Sequence, residues 1–127
     1  MLPPVAQALE QLKAAYPSAS IVTREDGEGG VYVIIDPVPI GHPYSQESTW
    51  VGFRIVHQYP YADTYPHYVR RDLTRVDATA LAPELQMVDY EGRQALQISR
   101  RSNRLNPATE TAAIKLQKVL TWLLTRP

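Results

Sequence analysis

Tyr59-Pro-Tyr-Ala-Asp-Thr-Tyr-Pro-His-Tyr-Val69 is the stretch whose reading decides the fold. Two Tyr-Pro pairs stand six residues apart in it. Proline has no backbone donor and pushes the residue before it to extended angles, so no helix runs through this region. The stretch reads as an ordered, extended flap pinned by its aromatic rings. It separates two differently patterned halves of the chain.

Upstream, Thr49 to Val56 alternates with the period of a strand. Val51, Phe53 and Ile55 point one way; Trp50, Gly52 and Arg54 point the other. Val31-Tyr-Val-Ile-Ile-Asp36 is a second strand by its β-branched content. The turn Glu25-Asp-Gly-Glu-Gly-Gly30, where glycine supplies positive φ, leads back to a short strand over Ser20 to Thr23. Pro37 to Gln46 reads as a loop. Residues 3 to 16 read as a helix: Pro3 and Pro4 suit its first turn, and Val5, Leu9, Leu12 and Tyr16 share a face. Pro17 ends it.

Downstream, residues 70 to 91 are polar, with one strand signal at Leu85 to Val88. Glu91-Gly92 is a turn. Ala95-Leu-Gln-Ile-Ser99 alternates, placing Leu96 and Ile98 inward and Ala95, Gln97 and Ser99 outward. The last element is a helix. Asn106 suits its N-cap, Pro107 its first position, and Glu110 the positive end of its dipole. Leu116, Val119, Leu120 and Leu123 form its buried stripe, with Ile114 at the upper edge. Strands grouped between terminal helices indicate an α+β fold, and 127 residues indicate one domain over 1–127.

Composition narrows the function classes. The 13 basic and 13 acidic residues cancel, which argues against a nucleic-acid partner that needs a basic field. Yet Arg93, Arg100, Arg101 and Arg104 fall in a segment without acids. They form either a solvated face or a partner-docking face. The chain has no cysteine, which excludes disulfides and thiol chemistry. His42, His57 and His67 lack helical metal-ligand spacing, so no metal or other cofactor is expected. The glycine turn lacks the Gly-Lys-Ser/Thr ending of a phosphate loop. No apolar run approaches the ~20 residues of a membrane span and no leader pattern is present, so a cytoplasmic location and no membrane partner are expected.

Three pieces of the sequence, in order, resemble the ubiquitin-conjugating (UBC-like) family over residues from about 3 to 125. The third strand runs into Tyr59-Pro60 and Tyr65-Pro66-His67-Tyr68-Val69, which is similar to the family's strand and proline flap. The Gly92 turn followed by Leu96 and Ile98 resembles the active-site segment, where a glycine turn leads into Cys-Leu-polar-Ile. Arg104-Leu-Asn-Pro-Ala-Thr109 before a Leu/Val-rich helix resembles the start of the crossover helix. Taken together the three pieces resemble the divergent prokaryotic members found with bacterial ubiquitin-like modification systems. The resemblance implies acyl transfer of a ubiquitin-like protein, with an activating enzyme and a target protein as further partners.

The departures bear on that chemistry. In the family register Ala95 occupies the cysteine position, and the His-Pro-Asn motif is absent. Transfer needs a nucleophile and oxyanion donors, and alanine supplies neither. Three accounts follow. A natural cysteine is replaced at Ala95; or a hydroxyl, Ser99 or Ser102, carries an oxyester with His67 as base and arginine charge on the oxyanion; or the domain only binds its partner. Ser99 lies about 13 Å from Ala95 along an ideal strand. Against these functional roles stand plain ones: surface serines or local caps, and a packed flap histidine. His57 and His42 are less well placed as bases. Trp50 and Trp122 read as partly buried fold residues, with an exposed docking role as the alternative. The first helix presents Gln7, Glu10, Gln11 and Lys13 either to solvent or to an activating enzyme, the role the resemblance implies.

Overall fold

The period-two segments of the sequence pair into one antiparallel sheet. The computed structural model describes residues 1–126. In chain order they form α1 (Pro3–Ala15), β1 (Ser20–Glu25), β2 (Val31–Pro39), β3 (Ser48–Ile55), β4 (His67–Arg70), β5 (Gln86–Tyr90), β6 (Arg93–Ile98) and α2 (Ala112–Thr125). The strand order is β1-β2-β3-β4-β6-β5. The architecture is α+β: two helices and a six-stranded antiparallel sheet.

Local chemistry explains the two tight turns. Between β1 and β2 the Asp26 carboxylate accepts the N–H of Glu28 at 2.8 Å and of Gly30 at 3.0 Å. Gly27 takes a φ of 79° there, which glycine adopts without a Cβ penalty. Between β5 and β6, Glu91 and Gly92 both take positive φ, 48° and 77°, the geometry of a two-residue hairpin turn.

Register sorts the side chains. Val33 pairs with Phe53, Val51 with Val69, and Val69 with Leu96. These residues, with Val31, Ile35, Ile55 and Ile98, share one face and are buried against both helices. From α1 come Val5, Ala8, Leu9 and Leu12; from α2 come Ala112, Leu116, Val119, Leu120 and Leu123. The helical stripes read from the sequence are the ones buried. Tyr16, however, caps α1 half-buried, and Ile114 is exposed.

Four details differ from the sequence reading. β2 continues beyond Asp36 to Pro39, and its pairing with β3 shifts register between Ile35 and Val38. That irregularity lets a strand hold prolines that donate nothing to the ladder. His67 lies in β4, not on the flap, and pairs with Ile98. Ala95 does face away from the helices, but it is fully buried beneath Tyr90 and Ile34. Finally, α2 starts five residues later than Asn106-Pro107 suggests. Thr111 is its N-cap, accepting from the Ile114 N–H at 3.1 Å. The flap fixes this start, because the Tyr59 hydroxyl accepts the buried Ala112 N–H at 3.0 Å. Asn106 instead closes a turn, its side chain accepting from the Ala108 N–H at 3.0 Å. No helix among the described residues is long and apolar enough to cross a membrane.

Candidate functional site

The two faces of the sheet carry different chemistry, and the residues singled out from the sequence divide between them. The face away from the helices is built around Tyr90. Its ring lies over Gly52, where an added Cβ would clash with the ring. Tyr68 stacks on it with ring centroids 4.4 Å apart, and Trp50 follows at 6.3 Å. The Tyr90 hydroxyl accepts from the Val33 N–H at 3.2 Å and lies 2.9 Å from the carbonyls of Val33 and Phe53. Burial pushes its ionisation upward. Arg24 lies over Tyr32 and Arg93 over Trp50. Both are also paired with acids, Arg24 with Glu91 and Arg93 with Asp36. Small residues, Gly52 and Ala95, make room for this aromatic layer. Ala95 is therefore a spacer under rings, and Arg93 belongs to this layer and not with the other three arginines.

The helix-facing side holds a polar cluster at the end of α2. Lys115 is buried, and its ammonium donates to both Asp63 oxygens at 3.0 Å and to the Ser102 hydroxyl at 2.9 Å. Ser102 donates its backbone N–H to Asp63 at 2.7 Å. Its hydroxyl lies 3.1 Å from Asp63 Oδ1 and 3.0 Å from Glu110 Oε1. Lys118 closes the chain by pairing with Glu110 at 2.7 Å. Burial alone raises the Asp63 carboxyl, but the bonds from Ser102 and Lys115 outweigh it and hold the group below the usual carboxylate range. The Lys118 bond lowers Glu110 likewise, against burial. Both carboxylates are thus ionised, and Lys115 is engaged as a donor to both Asp63 oxygens and to Ser102. In this arrangement it donates to the Ser102 hydroxyl and does not accept from it.

His67 does not fill that role either. It is fully buried against Phe53, with ring centroids 5.0 Å apart, and neither ring nitrogen has a hydrogen-bond partner. Burial first, then the Lys115 charge, pushes it down to about 3, so the ring is neutral at ordinary pH. Ser99 is exposed and accepts from the Gln97 side chain at 3.1 Å. His42 and His57 are exposed. Among the described residues no group of three His, Asp or Glu is placed to hold a metal.

Above the cluster lies an open cleft of about 520 Å³ between the Arg100–Arg104 segment and α2. Arg100 stacks on Trp122 at 5.1 Å, and Arg101 on Tyr65 at 4.5 Å. A second groove, of about 200 Å³, runs between α1 and the segment before α2; Gln7 and Gln11 line it with Pro60 and Pro107. The structure thus gathers Ser102, Arg100, Arg101 and Arg104 at one cleft. It leaves Ala95 and Arg93 across the sheet, and Gln7 and Gln11 on the α1 groove. Asp63, Lys115, Glu110 and Lys118 were not foreseen as a cluster. One signal was available: Lys115 falls on the apolar stripe of α2, where a charge needs a partner.

No known protein family, curated protein or solved structure matches this chain.

Proposed function

We propose that the chain is a UBC-like domain that binds a ubiquitin-like protein reversibly and does not carry it covalently. The order of elements supports the fold reading: a first helix, an antiparallel sheet, the Tyr-Pro flap, a glycine hairpin and a final helix. One observation carries the choice between carrier and binder. Ala95 is fully buried beneath Tyr90. A cysteine there would be equally covered, so a modifier's C-terminus could not reach it without displacing the aromatic layer. The oxyester route is weakened by the ion pair of Lys115 with Asp63 and by the unpartnered burial of His67. An adaptor needs none of these groups, only surfaces, and the half-exposed rings of Tyr32, Trp50 and Tyr68 supply one.

Calorimetric titration with a set of purified ubiquitin-like proteins tests this. Saturable binding without ATP is expected with at least one of them. With ATP and an activating enzyme, neither the natural chain nor an Ala95→Cys variant should form a covalent adduct. A thioester on Ala95→Cys, or a hydroxylamine-sensitive adduct on the natural chain, would establish a carrier instead.

A further inference from the structure

The unpaired positive charge of the molecule is concentrated at one place. All three lysines pair with carboxylates, as do Arg24, Arg54, Arg70, Arg75, Arg93 and Arg126. Among the described residues, four arginines have no carboxylate partner: Arg71, Arg100, Arg101 and Arg104. Three of these four line the cleft beside α2.

We propose that this cleft docks an extended acidic polypeptide segment of a partner protein. The proposal goes beyond the binding reading above, because it gives the domain a second surface, on the helix-facing side, and names the chemistry of the partner there. The acids in and under the cleft do not oppose it, because Glu110 is neutralised by Lys118 and Asp63 by Lys115. What remains is three exposed guanidinium groups. Arg100 and Arg101 lie over aromatic rings, which restricts their motion, and neither guanidinium is paired with a carboxylate among the described residues. Held side chains lose less entropy on binding than free ones.

The spacing favours a chain over a single anion. The arginines occupy positions 100, 101 and 104 of one irregular segment, so their charges are spread along a rim of up to about 13 Å at strand spacing. A compact phosphate meets one or two such groups, whereas successive carboxylates of an extended segment meet all of them by two-pronged bonds. The zero net charge of the chain, with every other arginine but Arg71 engaged, leaves no basic stripe for a nucleic-acid backbone. The cleft volume, about 520 Å³, suits a short segment and not a folded surface.

The test uses a fluorescein-labelled peptide of alternating Glu and Gly, titrated with the whole protein by fluorescence anisotropy. Saturable binding is expected at low salt and should weaken as salt rises. The double variant Arg101→Ala/Arg104→Ala should bind at least about tenfold more weakly. The matching lysine double variant should fall between, because an ammonium keeps the charge but not the fork. Arg71→Ala is the control outside the cleft and should bind as the natural chain does. Thermal melts of all variants separate lost binding from lost fold, since these side chains are exposed. Absence of binding overturns the proposal, and so does an equal loss in Arg71→Ala. Displacement of the peptide by inorganic phosphate beyond the effect of matched sodium chloride reassigns the cleft to a phosphate ligand. Tighter binding of single-stranded DNA than of the peptide also overturns it. Peptide binding without any ubiquitin-like binding would defeat only the earlier reading; the reverse result would defeat only this one.

Discussion

Two buried polar residues carry the sharpest consequences for single substitutions. His67 sits at zero exposure with both ring nitrogens unpaired. It is neutral in the fold, held down to about 3, and it protonates near 6.5 when unfolded. Between those values the unfolded state binds the extra proton, so stability is full above about pH 6.5 and declines on acidification, by about 1.4 kcal/mol per pH unit from this group. His67→Leu should flatten that slope. At neutral pH it should change stability little or raise it, because a shape-matched apolar group removes two unsatisfied atoms. Urea unfolding of both proteins from pH 7 to about 4.5 checks this; a parallel slope in the variant would mean the ring finds a partner. Lys115 is the opposite case, a buried charge that is fully paired. Lys115→Ala strands Asp63 and should cost about 3–5 kcal/mol, whereas Lys115→Met with Asp63→Leu should recover most of it. Equal losses in the two variants, read by the same unfolding assay, would show that packing and not charge dominates there. Neither role was legible in residue types alone. A histidine beside tyrosines looks the same in sequence whether it packs or catalyses, and burial decides which.

At the scale of elements, the sequence was most informative where one rule acted alone. The alternation of Val51, Phe53 and Ile55 predicted their shared face, and the stripe of Leu116, Val119, Leu120 and Leu123 predicted the buried side of α2. It was least informative where two local rules competed. Asn106-Pro107 is a good helix start, but so is Thr111, and a contact from Tyr59, over fifty residues earlier, selects the second. This has a measurable consequence. Thr111→Ala removes the oxygen that accepts the Ile114 N–H and should destabilise by about 1 kcal/mol. Asn106→Ala breaks only an exposed turn bond and should cost a few tenths of that scale. Denaturant midpoints of the two variants rank them; the reverse order would place the functional cap at Asn106. The β5 and β6 hairpin was only half-visible for a similar reason. Its Glu91-Gly92 turn was plain, but the exposed residues of β5 give no alternation strong enough to mark its bounds.

At the scale of the whole molecule, the question is whether the two sides of the sheet behave as one unit. The helix-facing core draws buried residues from both helices and from β2, β3, β4 and β6, with Ile21 of β1 packed against them, while the aromatic layer on the other side is a separate, smaller cluster. Separate clusters often unfold separately when only loops join them. Here the backbone of β2 and β3 joins them directly. Tyr90 of the aromatic layer bonds to the carbonyls of Val33 and Phe53, whose side chains lie in the helix-facing core. Losing the aromatic layer therefore strands hydrogen-bonding groups in the strands that hold the helices, and burial makes such groups costly to leave unpaired. The two tryptophans stand on opposite sides of this junction: Trp50 stacks in the aromatic layer, and Trp122 lies against the helix-facing core on α2. Trp50→Phe leaves Trp122 as the only reporter, and Trp122→Phe leaves Trp50. In each variant the fluorescence midpoint in urea should coincide with the midpoint from far-ultraviolet circular dichroism, as two-state unfolding requires. A Trp50 signal that moves well before the backbone signal would show the aromatic layer loosening on its own. The surface it forms would then be mobile and poorly suited to hold a partner. Coincident transitions would make that face a rigid platform, built by the same strands that carry the core.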